Sequence, residues 1–328
     1  MNRQRVRRST VAGAAAILLG VTGYIWWPWW AAAPGTAGAG TVVLATGGTS
    51  GVYHQYGEAL ASAAGDQPDP IRLLTTTGSV ENLNLVAQGQ ATFAFSTADA
   101  ALDAFSGRAP FARAVPLRAV ARLYDDYIHL VTLADSPVHA VGDLRGLRVS
   151  VGAVGSGTAL IADRILRGAL LDPGQDIMRT ELSLTDAIAA IREQRIDAFF
   201  WSGGLPTSGL TELASATGVR LIDLAESAAA LRAAYGSSYR TGSIPAGTYP
   251  GMAGAIITVA VPNLLVTTDA TPAALVERTA RLLFASAPRI AGSIPAVGQV
   301  DPHAAIFTGA IPLHDGARDY YRATKVPT

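Results

Sequence analysis

Short apolar runs alternate along this chain with segments whose apolar residues recur at helical spacing. Residues 42–44 form an apolar run rich in β-branched side chains, which indicates a buried strand. A loop of small residues, 46–51, follows, and helical spacing begins at Val52. Because the same order of strand, small-residue loop and helix recurs through most of the chain, the pattern predicts an α/β fold.

The recurring units fall into two sets. The first set predicts strands at 42–44, 71–74 and 91–95, and the second set predicts strands at 147–151, 196–201 and 219–224 and a short one at 181–184. Gly, Ser or Thr residues follow most of these strands directly. Since parallel strands end at one edge of a sheet, ligands are expected at the loops that follow them.

Two longer extended segments separate the two sets. Residues 118–133 contain neither Gly nor Pro, and residues 253–268 form a second extended stretch. Strands that cross between two lobes give a hinged clamshell with a cleft. We therefore predict that residues 41–130 and 254–328 form lobe I and that residues 131–253 form lobe II.

The first forty residues are predicted to be an export signal or membrane anchor followed by a linker. Four Arg residues within the first eight positions precede the uncharged, apolar stretch 11–30. A helix of this length just spans a bilayer, with its Arg-rich flank inside. Four Trp residues near its end favour an uncleaved anchor, whereas Ala31 and Ala33 favour cleavage, so both outcomes stay open. Either way, the remaining chain is expected to be extracytoplasmic, in the periplasm or at the cell surface.

Composition narrows the function classes. The chain has 328 residues, of which 49% are hydrophobic and 15% charged, and this length allows two domains with a large core. The absence of Cys excludes disulfides, thiol nucleophiles and thiolate metal sites. Four of the 25 basic residues lie in the N-terminal segment, so residues 41–328 carry 21 basic and 25 acidic residues. This balance predicts no nucleic-acid partner.

The loops after the predicted strands carry the candidate ligand-binding residues. A loop that leads into a helix presents free backbone N–H groups and the positive end of the helix dipole, which bind carboxylates as readily as phosphates. The predicted ligand-binding residues are Thr49, Ser50, Gly51, Val52, Tyr53, Thr77, Gly78 and Ser79 in lobe I, and Gly155, Ser156, Gly157, Thr158, Trp201, Ser202, Gly203 and Gly204 in lobe II. Trp201 fits a core position as well as a cleft wall.

Motifs for other chemistries are incomplete. The loop 152–157 runs G-x-x-G-x-G instead of G-x-G-x-x-G, and the only Lys, at position 325, is far from any phosphate loop. Ser156 lacks a G-x-S-x-G context, and the five His residues have no ligand spacing. Asp125 and Asp126 are predicted to lie in a solvated turn, because adjacent carboxylates on a strand would point to opposite sides. No catalytic residue, metal or cofactor is predicted.

Several segments, in order, carry a family resemblance. They are 46–53 (TGGTSGVY), 77–83 (TGSVENL), 121–124 (ARLY), 144–158 (LRGLRVSVGAVGSGT), 196–200 (IDAFF), 244–251 (IPAGTYPG) and 312–314 (PLH). Residues 41–328 resemble the TAXI group of extracytoplasmic solute receptors of tripartite ATP-independent periplasmic (TRAP) transporters. The resemblance implies a two-lobe clamshell like that of periplasmic binding proteins, of type II-like topology.

The resemblance also implies a function. Such receptors capture a small organic anion, typically glutamate or a related dicarboxylate, and deliver it to TRAP permease subunits in the membrane, without catalysis or cofactor. Ser50, residues 96–99, Asp125-Asp126 and Trp201 depart from the family pattern around the expected cleft, so the ligand's identity is not carried over. A membrane-tethered sensor of the same fold, without a transporter, is the alternative.

Overall fold

The computed structural model describes residues 41–65 and 69–324. The predicted signal or anchor, residues 1–40, lies outside these ranges. Within them, no helix combines the length and the apolar character that crossing a membrane requires.

Ten β-strands in the described residues join into one mixed sheet. They are β1 (Val42–Ala45), β2 (Ile71–Leu74), β3 (Phe93–Thr97), β4 (Leu117–Leu133), β5 (Arg148–Ser150), β6 (Met178–Thr180), β7 (Ala198–Gly203), β8 (Val219–Leu221), β9 (Arg240–Ile244) and β10 (Ile256–Thr268). The order is β2-β1-β3-β10-β4-β7-β5-β6, with β8 paired to β4 and β9 to β10. Strands β2, β1 and β3 are parallel at one end of the sheet, and β7, β5 and β6 are parallel at the other.

Helices cover both faces of each parallel block. They are α1 (Val52–Ala64), α2 (Ser79–Ala87), α3 (Ala98–Ser106), α4 (Gly157–Gly168), α5 (Leu184–Arg192), α6 (Ser208–Thr217), α7 (Ala225–Tyr235), α8 (Ala273–Ala291), α9 (Pro302–Ala305) and α10 (Asp315–Thr324). In the same described ranges, 3₁₀ turns span Val141–Leu144 and Pro295–Gln299.

Successive side chains of a strand point to opposite faces of the sheet, so each face has its own hydrophobic core. In β1, Val42 and Leu44 pack under α1, α8 and α10, whereas Val43 and Ala45 pack under α2 and α3. In the other half of the sheet, α4 and α7 cover one face, and α5 and α6 cover the opposite face. This is the predicted two-lobe α/β architecture; the lobe boundaries in residue numbers stay a prediction.

The long antiparallel strands β4 and β10 run through both halves of the sheet. β4 has 17 residues and pairs with β10 along most of its length and with β7 near its end. β10 pairs with β3 in one half and with β9 in the other. The register shifts between Pro262 and Leu264, so that Asn263 of β10 lies opposite both Leu123 and Tyr124 of β4. The predicted crossing strands are confirmed, and this bulge marks the crossing point.

Three elements differ from the sequence-based expectation. β6 ends at Thr180, before the predicted strand at 181–184, because Ser183 caps α5. β9 was not predicted, since its sequence, RTGSI, is mostly polar and it gains its order from pairing with β10. α10 was not predicted, and its Tyr320 and Tyr321 are buried against Phe284 of α8.

Candidate functional site

A cavity of about 220 Å³ lies between the two parallel blocks. It is lined by the loops that follow β1, β2, β5 and β6, by the ends of β3 and β7, by the start of α5 and by β4. Because pockets for drug-sized ligands are about 300–1,000 Å³, this cavity fits a small metabolite.

All but two of the predicted ligand-binding residues line this cavity. Those that line it are Thr49, Ser50, Gly51, Val52, Tyr53, Thr77, Gly78, Ser79, Ser156, Gly157, Thr158, Trp201, Ser202 and Gly203. The sequence therefore identified the loops that meet there, because each follows the carboxyl end of a strand. Their contact with a ligand stays a prediction.

Gly155 and Gly204 are the exceptions, since neither lines the cavity. The carbonyl of Gly155 accepts a hydrogen bond from the backbone N–H of Glu81, with 3.0 Å between N and O, so this residue links loops of the two lobes. Gly204 is packed against neighbouring side chains: a Cβ built there would lie 2.8 Å from the Cβ of Ala296 and 3.5 Å from the ring of Tyr124.

Five helices, α1 to α5, begin at the cavity. Their N-cap residues are Gly51, Gly78, Thr97, Ser156 and Ser183, and all of them line it. The side chains of Ser156 and Ser183 accept hydrogen bonds from their own helices, whereas the other three N-caps make no side-chain cap. Since each N-terminus carries about half a positive charge, their convergence favours a negatively charged group in the cavity.

Asp126 is the cavity residue that sequence reasoning assigned wrongly. It lies within β4 and not in a solvated turn, is 5% exposed and lines the cavity. The hydroxyl of Ser202 donates to Oδ2 (3.0 Å) and the amide of Asn263 donates to Oδ1 (2.8 Å). Burial raises the pKa of Asp126 to about 7, although both hydrogen bonds act in the opposite direction.

Asp125 points away from the cavity, as expected of adjacent residues on a strand. Its carboxylate is paired with Arg122 and with Arg240, each at 2.6 Å. Arg122 belongs to segment 121–124 of the family resemblance. Its ion pair with Asp125 holds it outside the cavity lining. Among the described residues that line the cavity, Asp126 is the only Asp, Glu, Lys, Arg or His.

Two tyrosines surround Asp126. The hydroxyl of Tyr53 on α1 donates a hydrogen bond to Oδ1 of Asn263, whose amide group binds Asp126. Tyr124 on β4 is fully buried and lines the cavity, and its hydroxyl has no hydrogen-bond partner among the described residues. A buried, unpaired hydroxyl at a cavity is available to a ligand.

Trp201 forms one wall of the cavity. Its indole N–H donates to the hydroxyl of Thr207 at 3.1 Å, and this bond fixes the ring. A Cβ at Gly203 would lie 2.5 Å from the indole nitrogen, so glycine leaves the space that the ring occupies. The cleft-wall interpretation is the one that this placement supports.

The two lobes touch around the cavity. The hydroxyl oxygens of Ser50 and Thr185 lie 3.3 Å apart, and a Cβ at Gly157 would lie 2.8 Å from the hydroxyl of Ser79. Loops of the two lobes are therefore in contact at the cavity. Within residues 41–65 and 69–324, no group of three or more His, Cys, Asp or Glu side chains is placed to hold a metal ion.

Comparisons with known proteins agree with this architecture. The chain is similar in fold to a solved structure titled as a periplasmic transporter (12% identity; 88% of this chain and 94% of that chain covered; TM-score 0.54). It is also similar to a protein of Bordetella bronchiseptica RB50 (17% identity; 88% and 90% covered; TM-score 0.50). A third structure is the periplasmic aliphatic sulphonate binding protein SsuA of Escherichia coli (15% identity; 88% and 89% covered; TM-score 0.44).

At these identities the likeness confirms the fold: a two-lobe α/β architecture like that of periplasmic binding proteins. The sequence match is more specific. Residues 44–323 match the model of the NMT1-like family. The narrower resemblance to the TAXI group stays a prediction. Because the match covers most of the chain, this protein belongs to the NMT1-like family.

Proposed function

We propose that this protein is an extracytoplasmic solute-binding receptor, which captures a small organic anion by closure of its lobes and delivers it to a TRAP-type permease in the membrane. The observation that carries this proposal is the convergence of five helix N-termini, from both lobes, on one small cavity. The predicted export signal supports an extracytoplasmic site of action. Uncleaved, residues 11–30 would also tether the receptor to the membrane.

Backbone N–H groups and hydroxyls would bind the anion. A hydrogen bond to a charged group contributes about 1.5–3 kcal/mol and a helix terminus about 0.3–1 kcal/mol. Several such contacts give micromolar affinity, about −8 kcal/mol. The anion selects the closed form because it contacts both lobes, and a ligand shifts an equilibrium only by its differential affinity for the two states.

The ligand class is a glutamate-like amino acid or a dicarboxylate. The TAXI-like segments support this class, and the cavity of about 220 Å³ suits molecules of this size. Delivery to TRAP permease subunits is the corresponding step after capture, and it requires neither cofactor nor catalysis.

The test introduces a negative charge near the helix N-termini. Calorimetric titration of the full chain with glutamate, glutamine, 2-oxoglutarate and C4-dicarboxylates is expected to show saturable binding of at least one of them, with a matching rise in Tm. Gly48 lines the cavity and has open space around its Cβ position. Gly48→Asp should abolish binding of the anion through charge repulsion, whereas the isosteric, neutral Gly48→Asn should retain it within about tenfold.

Two results would contradict the proposal. One is the absence of both binding and a thermal shift with every carboxylate in the series. The other is equal binding by the Gly48→Asp and Gly48→Asn variants, because it would show that the anion does not bind near the helix N-termini.

A further inference from the structure

We infer that Asp126 binds an ammonium group of the ligand, so that the cavity takes an amino acid in preference to a dicarboxylate; this inference rests on the proposed function and narrows its ligand class. It follows from the contacts of Asp126, the charges of the lining and the groups that face the carboxylate.

The contacts of Asp126 leave acceptor positions open. Each carboxylate oxygen accepts one hydrogen bond from the protein, from Ser202 or from Asn263, and a carboxylate has about four acceptor positions. No Lys, Arg or His of the described residues lines the cavity, so no protein cation fills the remaining positions. A buried carboxylate without a cationic partner is unfavourable, and a ligand ammonium would supply that partner.

The charge balance of the cavity distinguishes the two ligand classes. A dicarboxylate would place two further negative charges beside Asp126, with no basic side chain in the lining to offset them. An amino acid brings one positive charge for Asp126 together with a carboxylate for the helix N-termini. The lining therefore complements a molecule that carries both charges.

Hydroxyl groups support the same assignment. Tyr124 lies two residues before Asp126 on β4, so both side chains are on the cavity side of the strand. The buried Tyr124 hydroxyl has no partner in the described residues and can accept a second N–H of an ammonium. A ligand hydroxyl, which has a single donor, would leave one of these acceptors unfilled.

The titratable groups near Asp126 leave it as the group that responds near neutral pH. They are Tyr53 on α1, Tyr124 on β4, the neighbouring Asp125, and Asp99 at the start of α3. Burial raises the pKa of both tyrosines well above its usual value, so they stay neutral near pH 7. Asp125 and Asp99 act to raise the pKa of Asp126, and an ammonium would lower it.

The experiment compares pairs of ligands that differ only in the ammonium group. The full chain is titrated by calorimetry at pH 7.5 with L-glutamate and glutarate, L-aspartate and succinate, and L-norvaline and pentanoate. In the pair that binds most tightly, the amino acid is expected to bind about 10- to 100-fold more tightly than its analogue.

Two variants then test whether Asp126 causes the preference for the amino acid. Asp126→Asn should reduce the difference within that pair to less than about threefold. Asp125→Asn is the matched control: it removes a carboxylate from the adjacent position on the same strand, outside the cavity. It should preserve the preference for the amino acid, because the loss of Asp125 only favours ionised Asp126.

The pH dependence of the unmodified protein gives a second readout. Because the ammonium prefers ionised Asp126, affinity for the amino acid should rise between pH 6 and pH 8, whereas affinity for the analogue should fall. This readout requires no variant, so it holds even where Asp126→Asn fails to fold.

The outcomes separate the two proposals. An analogue that binds as tightly as its amino acid, or a preference that survives Asp126→Asn, overturns the ammonium assignment and leaves the proposed capture of an anion standing. If no member of any pair binds, the proposed function fails, and the ammonium assignment fails with it.

Discussion

The guanidinium of Arg164 on α4 is ion-paired with the carboxylate of Asp103 on α3, and the side chains are only 8% and 3% exposed. Asp99 of α3 lies 3.3 Å from the same guanidinium, and its carboxylate also accepts a hydrogen bond from Tyr239 (2.6 Å). One cation therefore joins two carboxylates across helices that belong to opposite halves of the sheet. This buried cluster is separate from the cavity lining.

Removal of Arg164 is expected to destabilise the protein strongly. Arg164→Met would leave Asp99 buried without a cation, whereas Asp103 would keep its ion pair with Arg108 at 3.0 Å. Breaking a buried pair in this way costs about 3–5 kcal/mol. Urea unfolding measures the free energy of unfolding. Arg167→Met, three residues along the same helix, is the control, because Arg167 is 58% exposed and lies 3.7 Å from its partner Asp163. Equal stability losses in the two variants would contradict the role assigned to the cluster.

The stability of the protein is expected to be nearly constant between pH 4 and pH 6.5, because two buried groups oppose each other. The folded-state pKa of Asp126 is raised to about 7, so the folded state binds more protons than the unfolded state and stability falls as pH rises from about 4 to about 7. Burial lowers the pKa of His129 to about 4, so the unfolded state binds more protons and stability rises with pH from about 4 to about 6.5. Each shift of about three pKa units corresponds to about 3–4 kcal/mol.

The variant Asp126→Asn removes one of these two opposing contributions to the pH dependence of stability. Without the Asp126 contribution, the free energy of unfolding should increase by roughly 3 kcal/mol from pH 4 to pH 6.5, as His129 loses its proton in the unfolded chain. Denaturant unfolding at a series of pH values measures the slope. A slope identical to that of the unmodified protein would show that Asp126 titrates normally.

Gly157→Ala is expected to weaken ligand binding by preventing full closure. The added Cβ would lie 2.8 Å from the hydroxyl of Ser79 and 3.2 Å from that of Thr97, which are groups of the opposite lobe. The lobes would have to separate, and the affinity of the captured anion should fall at least tenfold while the Tm of the empty protein changes little. Calorimetry measures the affinity of the Gly157→Ala and Gly48→Ala variants. Gly48→Ala is the control, because nothing lies within 4 Å of its Cβ position.

Gly203→Ala should displace the indole of Trp201. The new Cβ would overlap the indole nitrogen, and the hydrogen bond to Thr207 would break. We expect a red-shifted Trp emission, since the ring would become more exposed. The same substitution in a Trp201→Phe background should leave the emission of the other Trp residues unchanged; a shift in that background would place the effect elsewhere.

The sequence predicted the fold class and most of the cavity lining for one physical reason. Small residues such as Gly78 and Ser156, between a strand and a helix, identify the carboxyl end of a strand, and those ends meet in a parallel sheet. No long-range contact had to be known.

Asp126 could not be found in the same way. β4 is buried on both faces, so its residues do not show the alternation that would have assigned each side chain to a face. Two adjacent aspartates suggested a turn, and only the pairing of β4 with β7 and β10 brings Ser202 and Asn263 to the second of them. Tyr124 belongs to a matching segment, but its unpaired hydroxyl depends on the same pairing.

The bulge at Asn263 has a mechanical consequence. One residue of β10 faces two of β4 at the crossing point, and bulges bend and twist a strand locally. Asn263 also donates a hydrogen bond to Asp126, so the bulge and the carboxylate that we propose to bind a ligand ammonium share a single amide side chain. Because a bulge bends the strand that joins the two lobes, substitutions at Asn263 are expected to alter ligand recognition and lobe movement together.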